Sequence, residues 1–254
     1  MTVAFLVVAL VPAGAILALT WTRVETGFEE EYFERIRGAA ESLADELDRI
    51  GTRLADKVRG LADNKAVDDI LIDMERGDLD RQALKDTAGK WMSVWEFDLL
   101  WMLDGQARVL SCGHLPARFG KQNQEMLLLA TRESQEPVIK RVQVRRDGQI
   151  REYLAVLVGS AKRFKGTEAE VGLVGGRLLD EEFLERLETF SRASVAVVDQ
   201  EDQIIMAGPQ LRRRAQGSSL PDRDDPRWRR MPLVTGGGGQ QEVQLAAWVS
   251  PERQ

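Results

Sequence analysis

The feature that most constrains this chain is an uncharged run at its amino terminus. Residues 3–21 read VAFLVVALVPAGAILALTW and contain no ionisable side chain. At about 1.5 Å per residue, a helix of this length nearly spans a hydrocarbon core of about 30 Å. Pro12 and Gly14 are tolerated in membrane helices, and Trp21 falls where an interfacial aromatic residue would lie. The run therefore predicts a membrane anchor over residues 1–21.

Two alternatives to the anchor remain open, a cleaved signal peptide and a buried core helix. Ala13-Gly14-Ala15 matches the small-x-small pattern of a cleavage site. The anchor is favoured because the apolar run continues through residues 16–19 and no basic residue precedes it.

The rest of the chain has the composition of a folded protein. Of the 254 residues, 43% are hydrophobic and 30% are charged, which argues against disorder and against a multi-span membrane protein. Cys112 is the only cysteine and His114 the only histidine, so an internal disulfide and a Cys-rich or His-cluster metal site are excluded. These counts weigh against an enzyme, and they predict neither a metal nor a cofactor.

The net charge of −6 lies entirely in residues 22–90, which hold 12 basic and 18 acidic side chains. Residues 91–254 are balanced, with 23 of each sign. The resulting isoelectric point near 5.1 gives no reason to expect a nucleic-acid partner.

A long amphipathic helix is predicted over residues 22–62. Apolar side chains recur there mostly at three- and four-residue spacing, namely Phe33, Ile36, Ala40, Leu43, Leu47, Ile50, Leu54, Val58 and Leu61. The stripe either packs on the chain's own domain or contributes part of a homodimer seam. Shorter helices follow, with a break at Gly77-Asp78 and a cap at Asp80.

The period then changes to that of strands, so the predicted fold class is α+β. The first group is strand, strand, helix and three strands, over Glu96–Leu103, Ala107–Ser111, Gln122–Arg132, Pro137–Arg146, Ile150–Ser160 and Ala169–Gly176. A smaller group repeats the element order with a helix and four strands, over Asp180–Arg192, Ser194–Val198, Ile204–Ala207, Arg230–Thr235 and Gln241–Val249.

This arrangement resembles the extracytoplasmic double-Cache sensor region, built from PAS-like modules, of bacterial transmembrane receptors such as sensor histidine kinases. Three segments carry the resemblance: Phe97–Leu110, Val171–Gly176 with the helix after it, and Ser194–Asp199. It implies a membrane-distal module over residues 63–178 and a smaller membrane-proximal module over residues 179–254. It also implies a single-pass protein of the bacterial inner membrane, with the bulk of the chain periplasmic or extracellular, that senses a small ligand.

A membrane-anchored scaffold or partner-binding protein without a small-molecule pocket is the alternative function. The chain contains no recognisable kinase nucleotide-binding pattern, so the resemblance places the output module outside these residues.

The ligand site is predicted in the first module, between the sheet and the loop over residues 112–120. His114 and Arg118 are the polar groups of that loop able to reach a ligand. On a facing strand Tyr153 alternates with apolar positions, and Arg151 shares its face by the two-residue period. The arginines favour an anionic ligand because guanidinium pairs well with carboxylate.

Overall fold

In this computed structural model, the residues described are 45–133, 135–146, 148–164, 169–191, 194–198, 204–209, 228–232 and 244–248, together with Glu34, Arg37, Gly38, Glu41 and Leu211. Within these residues, no helix is long and apolar enough to cross a membrane. The predicted anchor over residues 1–21 lies outside them.

Among the described residues, four helices precede the first strand. Helix α1 covers residues 45–62, and residues 34, 37, 38 and 41 are helical as well, which confirms the described part of the long helix. It is followed by α2 (Lys65–Arg76), α3 (Arg81–Leu84) and α4 (Thr87–Trp95).

Local chemistry sets the boundaries of these short helices. The Asn64 side chain accepts a hydrogen bond from the Ala66 amide at the start of α2, and Gly77 ends that helix in the left-handed region at φ 74°. The predicted cap is confirmed, since Asp80 Oδ1 accepts from the amides of Gln82 and Ala83.

The first sheet has five antiparallel strands: β1 (Leu99–Asp104), β2 (Val109–Cys112), β3 (Val138–Arg146), β4 (Gln149–Arg163) and β5 (Glu170–Leu179). Their order across the sheet is β2-β1-β5-β4-β3. A short 3-10 turn (Pro116–Arg118) and helix α5 (Gln124–Ala130) connect β2 to β3. The predicted element order of this region is thus confirmed.

The second sheet is smaller. Helix α6 (Glu181–Ser191) leads into β6 (Ser194–Val198), β7 (Ile204–Ala207), β8 (Trp228–Pro232) and β9 (Gln244–Trp248), which pair antiparallel in the order β7-β6-β9-β8. The α+β class is confirmed by these helices and antiparallel sheets.

The two sheets repeat one geometry. Each places its first strand beside its last, with the second strand at the edge. In the first hairpin the register shifts between Met102 and Leu103, and Leu103 pairs with Val109. In the second it shifts between Val197 and Val198, and Val198 pairs with Ile204. In both hairpins five residues of sequence separate the members of the last pair, and the register shifts just before that pair.

The five-stranded sheet has two differently covered faces. The helix face packs on α1 and α2, through Leu54, Val58, Leu61, Leu71, Leu100, Met102, Val156, Val158 and Leu173. The loop face packs on α5 and the loop after β2, through Leu99, Trp101, Cys112, Leu115, Met126, Leu129, Ala155, Leu157 and Val174. The α1 stripe from Leu47 to Leu61 thus packs within its own domain. The predicted dimer seam is therefore left to the apolar positions before Leu47.

The predicted start of β1 at Glu96 is wrong by three residues. Glu96 instead ends α4 in the left-handed conformation, at φ 56°, and its amide donates to the Met92 carbonyl. The strand begins at Leu99 because the backbone must first leave this cap.

Candidate functional site

The loop after β2 connects opposite edges of the first sheet. Strands β2 and β3 are the two edge strands. Nevertheless the Arg145 amide on β3 donates to the His114 carbonyl at 3.4 Å, and Arg118 Nη2 donates to Gln143 Oε1 at 3.0 Å. The sheet is therefore curled, and this loop covers its concave loop face.

His114 is buried on the loop face, with 7% of its surface exposed. Its ring packs edge-on against Trp101, and Cys112 Sγ lies 3.7 and 3.6 Å from its Nδ1 and Nε2 atoms. Burial lowers the pKa of His114 to about 3, and the nearby positive charge of Arg118 acts in the same direction. The imidazole is therefore neutral at physiological pH.

Cys112 is fully buried beside this imidazole. Burial raises the pKa of its thiol to about 12, which outweighs the opposing effects of backbone hydrogen bonds and of Arg118. The pair is thus a neutral thiol beside a neutral imidazole. Within the described ranges, no group of three or more His, Cys, Asp or Glu residues could hold a metal ion.

Tyr153 lies on β4, half-buried against the loop-face core. It pairs across the sheet with Val142, the neighbour of the Gln143 that binds Arg118. The Arg146 guanidinium lies 5.9 Å from the centre of the Tyr153 ring, a cation–π distance.

Arg151 lies farther along the same strand, opposite Val144. It is exposed, and its Nη2 and Nε donate to Gln149 Oε1 at 2.9 and 3.3 Å. The structure therefore brings His114 and Arg118 together in one loop and places Tyr153 on the face that this loop covers. Arg151 lies near the exposed end of the hairpin.

Three neighbours of these residues were not predicted as site residues: Trp101, Gln143 and Arg146. Trp101 and Arg146 share a strand face with apolar residues of the loop-face core, a signal that period-two alternation offers. No sequence pattern predicts the contact of Gln143 with Arg118, because this contact depends on the loop reaching the far edge of the sheet.

A second concave surface lies on the other side of the sheet, between α1 and α6. This α1–α6 groove has a volume of about 830 Å³. It is lined by Asp45, Glu46, Arg49, Ile50, Arg53, Leu54, Lys57, Glu96, Arg177, Phe183, Arg186 and Leu187. Its size falls in the usual range for small-molecule sites, roughly 300–1,000 Å³.

Comparison with solved structures finds bacterial periplasmic and sensor domains of similar fold. The chain superposes on the periplasmic domain of Vibrio cholerae LuxQ with a TM-score of 0.50 and 15% identity, covering 82% of this chain and 97% of that one. The sensor domain of the V. cholerae histidine kinase DctB gives 0.49 and 10% identity, covering 87% and 96%. The Escherichia coli DcuS sensor domain gives 0.36 and 17%, covering 51% and 89%.

No protein-family model matches the sequence, and no curated protein matches it. The predicted resemblance to an extracytoplasmic sensor region is thus confirmed as a likeness of fold, since the LuxQ periplasmic domain is matched over nearly its whole length.

Proposed function

We propose that this chain is the extracytoplasmic ligand-sensing region of a bacterial membrane receptor, such as a sensor histidine kinase, with the output module outside these 254 residues. The observation that carries the proposal is the fold shared with a periplasmic domain over 82% of this chain and 97% of the other. The chain itself would then have no catalytic role.

The domain arrangement proposed for this receptor is a membrane-distal module over residues 63–178 and a membrane-proximal one over residues 179–254. The repeated strand order supports this division, as does the hairpin with the same register shift in both sheets. Residues 3–21 would be the single membrane span in the inner membrane, and two copies would associate through the long helix.

The ligand is proposed to bind at the loop face, among His114, Arg118, Tyr153 and Arg151. Arg118 now donates to the neutral amide oxygen of Gln143. A ligand carboxylate would be the stronger acceptor, because charge-assisted hydrogen bonds are roughly twice as strong as neutral ones. The exchange would remove one of the two hydrogen bonds that join the loop to β3 and leave the one from the Arg145 amide to the His114 carbonyl. Such a shift in packing is what a sensor needs to transmit.

The loop-face site is tested by a thermal-shift screen of organic acids and amino acids on the 254-residue chain. Any compound that binds there should lose affinity in Arg118→Ala and in Tyr153→Phe. Arg132→Ala, an exposed arginine after α5, is the matched control and should bind like the parent. Unchanged binding in Arg118→Ala and Tyr153→Phe would reject this site.

The extracytoplasmic location is tested separately by topology reporters. Alkaline phosphatase fused after Gln254 in a bacterial host should be active, since the enzyme folds only outside the cytoplasm. An inactive fusion, together with an active cytoplasmic reporter at the same junction, would reject the sensor proposal and leave the scaffold function.

A further inference from the structure

The α1–α6 groove combines an apolar floor with charged walls. Leu54, Phe183 and Leu187 are buried core residues, and Ile50 packs against the same core. Arg49, Arg53 and Lys57 lie along one wall, and Arg177 and Arg186 also line the groove. Because 49, 53 and 57 are four residues apart, their side chains follow one line along α1.

Most of these cations already have a carboxylate partner. Lys57 Nζ lies 2.9 Å from Glu96 Oε2, and Arg177 Nε lies 3.3 Å from Asp98 Oδ2. Arg186 Nη1 lies 3.1 Å from Glu182 Oε1, and Arg49 pairs with Glu46.

Arg53 is the exception in this set. Among the described residues it has no hydrogen-bond or ion-pair partner, and it lies between the paired cations Arg49 and Lys57 on α1. Among the described residues, the groove thus presents one unpaired guanidinium, Arg53. Its lining holds five arginines or lysines against three carboxylates, of which Asp45 is also unpaired among those residues. The excess of positive charge favours an anionic group at Arg53, and the floor offers apolar area beside it.

We propose that the α1–α6 groove binds an amphipathic monocarboxylate, meaning an aromatic or aliphatic body that carries one carboxylate. The body lies on Ile50, Leu54, Phe183 and Leu187, and the carboxylate pairs with Arg53. The site is distinct from the loop-face site, because α1 packs on the helix face and His114 lies on the loop face.

Such a ligand would contact α1 and α6 at once. It would therefore join the long helix to the start of the second sheet, a consequence for signalling that rests on the proposed sensory function. The binding itself does not depend on that function.

The test uses the 254-residue chain in lipid nanodiscs, titrated by calorimetry against three probes of nearly equal shape. Indole-3-acetate is the carboxylate, indole-3-acetamide its neutral analogue and tryptamine its cationic one. Indole-3-acetate should bind most tightly, and its affinity should fall as salt is added, because the contact is partly exposed. Empty nanodiscs provide the blank.

Variants then locate the binding. Arg53→Gln should weaken indole-3-acetate binding about tenfold, in line with loss of a hydrogen bond to a charged group. Arg76→Gln, an exposed arginine on α2, and Arg118→Ala, at the loop face, should leave it unchanged.

Four outcomes would overturn the proposal. The first three are absence of indole-3-acetate binding, equal binding of all three probes, and parental affinity in Arg53→Gln. The fourth is loss of binding in Arg118→Ala, which would assign the ligand to the loop face. The topology reporters do not depend on any of these results, so the groove and the sensor proposal can fail separately.

Discussion

The imidazole of His114 lies edge-on to the indole of Trp101, with ring centroids 4.1 Å apart and ring planes at 71°. The contact joins the loop after β2 to strand β1. It holds the titratable imidazole of His114 in an apolar environment, which favours the neutral form.

This burial predicts an acid-sensitive fold. The pKa of His114 falls from 6.5 to about 3 on folding, so the unfolded chain binds more protons between these values. Stability should therefore fall as pH drops below about 6.5, by about 1.4 kcal/mol between pH 7.5 and 5.5. Urea unfolding at pH 7.5 and at pH 5.5 measures this loss of stability. His114→Gln removes the titrating group and should flatten the dependence, and an equally steep slope in this variant would contradict the assignment.

A second prediction concerns the contact of α1 with the sheet at Gly175. A Cβ added there would lie 2.6 Å from Val58 Cγ2 and 2.7 Å from Phe97 Cε1. Gly175→Ala should therefore lower the free energy of unfolding by about 1–3 kcal/mol through overpacking. Gly89→Ala in α4 is the matched control, since its Cβ meets only the Gly113 Cα at 4.0 Å. Gly89→Ala should leave the free energy of unfolding unchanged or raise it by up to about 1 kcal/mol. Equal effects at both sites would contradict the close approach.

A third prediction concerns Ser111, whose hydroxyl joins β2 to the helices before it. Ser111 Oγ accepts from the Ala88 amide at 3.0 Å and donates to the Lys85 carbonyl at 2.8 Å. Ser111→Ala should cost about 1–3 kcal/mol, because it leaves a buried amide and a carbonyl without this partner. Chemical denaturation measures the loss. Ser93→Ala, exposed on α4, should change stability little, and a loss there as large as at Ser111 would refute the role.

The fourth prediction tests the homodimer. Because the stripe from Leu47 to Leu61 packs within its own domain, a seam must use the apolar positions before Leu47. Leu43→Asp should strongly weaken self-association of the 254-residue chain, since an unpaired carboxylate in an apolar seam is costly. The yield of chemical crosslinking as a function of protein concentration measures this self-association. Thr52→Asp adds the same charge at an exposed α1 position and should associate like the parent. If Leu43→Asp associates as strongly as the parent, the predicted dimer seam is wrong.

Much of the element order followed from local sequence. Asp104-Gly105 predicts the first turn, and Asp104 Oδ1 does accept from the amides of Gln106 and Arg108. Local sequence does not fix the end of α4, because the large apolar residues there fit either a helix or a strand. They are Trp91, Met92, Trp95 and Phe97. Only the left-handed cap at Glu96 separates the two.

The site depends on contacts that local patterns do not encode. Strand β1 pairs with β5, so Trp101 lies opposite Val174 across more than seventy residues of chain. The curl that brings Gln143 to Arg118 follows from such pairings. The sequence could place His114 in a loop, but its burial follows from where that loop packs.

The buried cysteine also makes the chain convenient for spectroscopy. Cys112 is the only thiol in 254 residues, and it is wholly inaccessible. With a pKa near 12 it has almost no thiolate at neutral pH, so maleimide reagents should leave it unmodified in the folded protein. Cysteines introduced at exposed positions on α1 and α6 would therefore be labelled selectively. Distances between these helices could then be followed by spin or fluorescent labels without first removing a native cysteine.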